Sequence, residues 1–123
     1  MKSAHDPRHK RRRLVVQGLF AAPFKGRKIE ETARKIYEGR ERWDKLITQS
    51  APAWPIDKLN RIDLAILRLA TYELVVTDTP PKVIIDEAVE LAKEFGAESS
   101  PSFVNGVLGN ILKLKEKNEK FEI

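Results

Sequence analysis

Prolines divide this sequence into separate segments, and that division is the strongest constraint on how the chain can fold. Breaks fall at Pro23, at Pro52 and Pro55, and at residues 80–81. A proline inside a helix lacks the backbone donor and clashes with the preceding turn, so helices end near these positions. Between the breaks, apolar residues recur every three or four positions, which is the spacing of an amphipathic helix. The pattern therefore predicts an all-α fold.

Five helices are predicted from this spacing and from local start and stop signals. Asp6 and Pro7 form a typical helix start, with an N-cap acceptor followed by a proline at the first helical position. Gly96 marks a helix end. The helix before Pro80 is apolar around most of its circumference, so we expect it to lie at the centre of a bundle. The predicted helices cover residues 7–22, 29–49, 58–76, 83–95 and 100–115.

The length and composition indicate one folded domain. The chain has 123 residues, of which 41% are apolar and 33% are charged, as expected for a single soluble core. No apolar run approaches the roughly 20 residues needed to cross a bilayer, and no signal-peptide pattern is present, so the cytoplasm is the expected compartment. We expect residues 1–123 to form a single domain, with a basic first helix over 7–22, a helical core over 29–115 and a frayed, charged tail over 116–123.

The positive charge is concentrated at the N-terminal end. The formal net charge is +5, and residues 1–13 carry all of this excess, with six basic residues and one acidic residue. A neutral body with a basic end indicates a localised surface for an anionic partner, which could be RNA, DNA or a membrane. The alternative is a solubilising tail. Because residues 8–13 are basic on nearly every side of a helix, we expect them to project beyond the core as an ordered cationic turn.

The sequence lacks the residues that most enzyme and metal sites require. It has no cysteine, which excludes disulfides, a thiol nucleophile and thiolate-bound zinc. Residues 25–28 lack the spacing of a phosphate-binding loop, and no serine lies in a nucleophile elbow. His5 and His9 lie among arginines, which disfavours a bound metal. The carboxylates between Asp86 and Glu94 offer too few ligands for a hard cation. We therefore predict a binding module with no enzymatic activity, cofactor or metal.

Three segments in a fixed order carry a resemblance to a known family. They are residues 62–74 (IDLAILRLATYEL), 81–93 (PKVIIDEAVELAK) and 103–108 (FVNGVL), and they follow an arginine-rich first helix that ends in VQGLF at 16–20. Together they resemble the NusB family of bacterial transcription antitermination factors. The likeness extends over residues 8–22 and 54–114.

This resemblance implies a fold, a function and a set of contact residues. The fold is two packed three-helix subdomains. The function is binding of boxA-type RNA in nascent ribosomal transcripts together with the ribosomal protein NusE, within an RNA polymerase complex that reads through terminators. The protein-partner surface of the family includes an acidic position on the central helix, which is Asp63 here. The RNA contacts of the family correspond to Arg8, Lys10, Arg11, Arg12 and Phe103.

Several alternatives remain open at this level. The family usually has another helix where this chain has only residues 24–28, so we expect a shortened N-terminal subdomain. A stand-alone RNA-binding domain, related to that of ribosomal RNA methyltransferases, is a second interpretation. A helical scaffold that contacts acidic protein or lipid is a third. Phe103 could stack on a base or fill the core, and Arg68 is expected to form an ion pair more readily than an RNA contact.

Overall fold

The computed structural model describes residues 6–24, 26 and 28–117, and this part of the chain is helical throughout its regular structure. It contains six α-helices, a short 3₁₀ helix and no strand, so the prediction of an all-α fold is confirmed. The α-helices are α1 (Pro7–Ala21), α2 (Glu31–Glu38), α3 (Arg40–Ser50), α4 (Arg61–Val76), α5 (Pro81–Phe95) and α6 (Ser100–Lys117). The 3₁₀ helix, Ile56–Lys58, lies between α3 and α4.

The predicted start of α1 is confirmed, whereas that of α5 is wrong. Asp6 caps α1, because its Oδ1 accepts a hydrogen bond from the backbone N–H of Arg8 at 2.8 Å. Proline follows the cap at the first helical position. The helix α5 begins at Pro81 and not at Val83. The fixed φ of proline suits the first turn of a helix, so the proline pair ends one element and starts the next.

The single helix predicted over residues 29–49 is in fact two helices, α2 and α3. They meet at Gly39, whose backbone N–H donates to the carbonyl of Lys35 at 3.2 Å and closes α2. The indole Nε1 of Trp43 donates to the carbonyl of Ile36 at 3.2 Å and holds the two helices across the break. Ile36 and Trp43 are both buried. The apolar spacing therefore continues through the break, which is why periodicity alone predicted five helices instead of six.

The helix α4 lies at the centre of the molecule, as predicted. Ile66, Leu67 and Leu74 are fully buried within it, and all five other α-helices contact it. The helices α5 and α6 pack on α4 and on each other, while α1 packs on both α4 and α2. A side chain at Gly18 of α1 would begin only 2.7 Å from the Cβ of Ala33, so glycine allows α1 and α2 to approach closely.

Some predictions concern residues outside the described ranges. Those for residues 118–123 and for His5 fall there. Residues 116 and 117, which were expected to fray, belong to α6. Of the helices in the described ranges, none has both the length and the apolar character that a bilayer crossing requires.

Candidate nucleic-acid interface

The basic half of α1 packs against the body of the protein and does not project from it. His9 is buried, and the side chain of Arg12 is only 14% exposed. The expectation of a cationic turn standing clear of the core is therefore wrong. The reason is that carboxylates on α4 and α5 face this half of α1, so that cationic side chains are buried against opposite charges.

Arg12 is engaged by a carboxylate of the central helix. Its Nε and Nη2 donate to Oε1 and Oε2 of Glu73 at 2.8 and 2.7 Å, and its Nη1 lies 3.5 Å from Oε1 of Glu87. Hydrogen bonding to Glu73 raises the pKa of Arg12, against the opposing effect of burial. Arg12 thus holds α1 on α4. The RNA contact through Arg12 stays a prediction, and in the structure its side chain is largely buried in this ion pair.

His9 and Arg13 complete an ionic cluster between α1 and α5. Nδ1 of His9 lies 2.9 Å from Oε1 of Glu87, and its Nε2 contacts Oε1 of Glu94. Nε of Arg13 donates to the other oxygen of Glu94 at 3.0 Å. We name these residues the α1 ionic cluster: His9, Arg12, Arg13, Glu73, Glu87 and Glu94.

The other predicted cations of α1 are exposed, and we call Arg8, Lys10 and Arg11 the α1 basic edge. The side chain of Arg8 is 84% exposed, with contacts of 3.4 Å to Asp6 that lower the pKa of this carboxyl. Arg11 donates through Nη2 to Glu30 at 3.0 Å and to Thr32 at 2.8 Å. Of the predicted cationic contacts, these three remain accessible to a polyanion.

An exposed group of aromatic rings and one guanidinium lies at the other end of α1. Phe20 and Phe24 are both exposed, and the guanidinium of Arg61 lies 5.0 and 4.4 Å from the centroids of their rings. Nη2 of Arg61 also donates to the carbonyl of Phe20 at 3.5 Å. Planar groups of this kind stack on unpaired bases. Sequence reasoning missed this cluster, although Phe20 ends the VQGLF segment that carried part of the resemblance.

A groove on the other side of the start of α4 contains the two remaining predicted site residues, Asp63 and Phe103. Phe103 is half-buried, and its ring centroid lies 5.9 Å from that of Trp54 in an edge-on arrangement. The groove has a volume of about 510 Å³. Trp54, which borders the groove, is 54% exposed and does not anchor its loop in the core. Ala51 and Leu59 are buried in the core instead.

Asp63 lies in the wall of this groove and not on an open surface. It is only 6% exposed, and its buried Oδ1 receives no hydrogen bond from any residue that the structure describes. Burying a carboxylate oxygen without a hydrogen-bond donor is costly. The fold thus brings Asp63 and Phe103 together. It places the α1 basic edge on a separate helix.

The described part of the chain contains no cluster of three histidine, cysteine or acidic side chains arranged to hold a metal ion. Arg68 forms an ion pair, as predicted. Its Nε and Nη2 donate to the two carboxylate oxygens of Asp44 at 2.9 and 2.8 Å. It therefore ties α4 to α3 inside the protein.

Comparison with known proteins identifies the family. Residues 23–113 match the model of the NusB family. The chain belongs to the NusB family. This family is not enzymatic, so the prediction of a protein without enzymatic activity is confirmed.

Individual NusB proteins support this assignment. The transcription antitermination protein NusB of Clostridium novyi is 45% identical over 86 residues, which cover 69% of this chain and 65% of the relative. That of Chloroflexus aggregans is 38% identical over 117 residues, covering 87% of this chain and 78% of the relative. The solved structure of Thermotoga maritima NusB superposes with a TM-score of 0.75 at 36% identity, covering 92% of this chain and 93% of that one. The NusB fold is therefore confirmed.

Proposed function

We propose that this chain is a transcription antitermination factor that binds boxA-type RNA of nascent ribosomal transcripts together with NusE, and so promotes read-through by RNA polymerase. Membership of the NusB family supports the general role. The observation that carries the RNA part is the combination of exposed cations at the start of α1 with exposed planar groups around its other end, where Arg61 of α4 lies over the rings of Phe20 and Phe24. Single-stranded RNA is bound by just these two kinds of group.

The RNA strand makes two kinds of contact in this proposal. Arg8, Lys10 and Arg11 of the α1 basic edge bind phosphates. The aromatic and guanidinium faces around Phe20 stack with bases. Arg12 acts as a positioning residue, because its ion pair with Glu73 orients the helix that carries the basic edge. Phe103 supplies a further stacking surface next to Trp54.

The groove that contains Asp63 is the proposed contact for NusE. A protein surface offers lysine, arginine and backbone N–H donors, any of which can pair with the carboxylate of Asp63, a residue that lines the groove. Trp54 borders the same groove, so a cationic side chain that reaches Asp63 also lies near an aromatic ring. The concave shape favours a projecting side chain over a flat interface.

A salt-dependent titration tests the proposal. The chain is titrated with boxA-type RNA, with a scrambled RNA of equal composition and with anionic vesicles, each with and without NusE. We expect tightest binding to boxA-type RNA, strengthened by NusE. RNA binding that NusE does not affect would instead support a stand-alone RNA-binding domain. Preference for vesicles over both RNAs would contradict the proposal.

A further inference from the structure

A second groove, between α1 and α4, has a shape and lining that the proposed function does not yet use. It has a volume of about 340 Å³. Its floor consists of the buried side chains of Val15 and Leu69 with the half-buried ring of Tyr72. We name it the α1–α4 groove.

The rim of this groove is polar and partly cationic. Thr32 of α2 and Thr77, which follows α4, border the groove on one side, while Arg8 and Arg11 border it from α1. The hydroxyl of Thr77 is engaged within the protein, since it donates to the carbonyl of Glu73 and accepts from the N–H of Thr79. The contacts described for Arg11 all pass through Nη2, so they leave the Nε and Nη1 donors for a ligand. Two guanidinium groups one helical turn apart thus flank an apolar floor with threonines at its edge.

This combination matches one nucleotide of single-stranded RNA. A nucleobase has apolar faces and a polar edge, and its flanking phosphates carry negative charge. The groove volume lies within the range of small-ligand sites, which is about 300 to 1,000 Å³. Charge complementarity favours an anionic occupant, since the accessible side chains at the rim are Arg8 and Arg11, while the carboxylate of Glu73 is engaged by Arg12.

We propose that the α1–α4 groove holds one unpaired base of the bound RNA, with the neighbouring phosphates on Arg8 and Arg11. This inference rests on the proposed RNA-binding function and deepens it by placing a base next to the basic edge. It adds Val15, Leu69 and Tyr72, which form the floor of the groove, to the RNA-binding surface.

The test uses a matched pair of variants at the rim. Thr77→Tyr and Thr77→Ala both lose the hydrogen bond that Thr77 donates to the carbonyl of Glu73, but only tyrosine fills the groove. By fluorescence anisotropy on boxA-type RNA, we expect Thr77→Tyr to weaken binding about tenfold and Thr77→Ala to bind nearly as the wild type does. Circular dichroism melting confirms that each variant is folded. If Thr77→Tyr fails to fold, Thr32→Tyr and Thr32→Ala provide the same comparison across the groove.

A scan of the RNA separates the possible outcomes. Each nucleotide is replaced in turn by an abasic one, and binding to the wild type and to the filled variant is compared. We expect one position whose abasic replacement weakens wild-type binding but not binding to Thr77→Tyr, since the two changes remove the same contact. Equal RNA affinity of Thr77→Tyr and wild type would overturn this inference and leave the proposed function standing. A wild-type chain that binds no RNA would contradict the proposed function itself.

Discussion

Arg12 of α1 and Glu73 of α4 form a two-pronged ion pair, with donor–acceptor distances of 2.7 and 2.8 Å, although they are 61 positions apart in the chain. This pair divides the basic segment into two parts with different roles. The arginines and the histidine that face the body hold α1 in place. The cations at the opposite edge remain available to a polyanion.

The first prediction concerns the stability of the fold. Arg12→Ala leaves the carboxylate of Glu73 buried without its counter-charge, and we expect the free energy of unfolding to fall by about 3 kcal/mol. Arg8→Ala is the control, because Arg8 is exposed and an exposed ion pair contributes little to stability. Urea denaturation measures both. Equal stability of Arg12→Ala and wild type would show that the ion pair between Arg12 and Glu73 does not hold α1 on α4. The sequence alone predicted that residues 8–13 project beyond the core, and on such a turn the loss of Arg12 would not lower the stability.

The second prediction concerns the exposed cations. Lys10→Ala is expected to weaken RNA binding without affecting stability, because Lys10 lies on the exposed edge of α1. For single-stranded RNA, the slope of log K against log salt concentration should flatten by about 0.7 for the lost phosphate contact. Lys45→Ala is the matched control, since Lys45 is an exposed lysine of α3. An unchanged slope and affinity would remove Lys10 from the RNA-binding surface.

The third prediction concerns the groove beside Phe103. Asp63→Asn keeps the size of the side chain and removes its charge, so we expect NusE to bind about tenfold more weakly while RNA binding without NusE changes less. The folded chain should be as stable as the wild type or more so, because the lost charge is buried with an unpaired oxygen. Calorimetric titration with NusE measures the affinity. Asp57→Asn, at an exposed position of the 3₁₀ helix, is the control. Normal NusE affinity of Asp63→Asn would exclude this contact.

The fourth prediction concerns the dependence of stability on pH. Glu30 caps α2. Burial raises the pKa of its carboxyl. Hydrogen bonds from the backbone N–H groups of Ala33 and Thr32, together with the charge of Arg11, outweigh burial and lower this pKa below 4.5. A carboxyl group whose pKa is lower in the folded protein than in the unfolded chain stabilises the fold at any pH above its pKa in the unfolded chain. This contribution is lost as the pH falls through the pKa of the group in the folded protein. Glu30→Ala should therefore be about 1 kcal/mol less stable than the wild type at pH 7.

The difference in stability between the wild type and Glu30→Ala should shrink as the pH falls below 4.5, because the carboxylate of Glu30 then becomes protonated in the wild type. Urea unfolding curves of both proteins, recorded at pH 7 and at several pH values below 4.5, measure this difference. A stability difference that stays constant over this range would show that the charge of Glu30 does not contribute to the cap.

Local sequence signals predicted the elements of the fold well. The cap at Asp6, the prolines and the apolar spacing of α4 predicted an all-α bundle with a correct central helix, because such signals act between residues within about one turn of each other. The exception is Gly39, where the apolar period runs through a helix break. The spacing of apolar residues shows which residues face the core. This spacing is the same whether one helix runs through Gly39 or two helices meet there.

The surroundings of individual side chains could not be predicted in this way. The carboxylates that bind His9 lie 78 and 85 positions away, and nothing near His9 in the sequence indicates them. The exposure of Trp54 and the burial of Asp63 likewise depend on how α6 packs against the start of α4. The order of the residues therefore predicted that a basic segment lies on a helix. Which of its charges are neutralised, and which face solvent, depends on contacts between residues far apart in the chain, and such contacts form only when the helices pack.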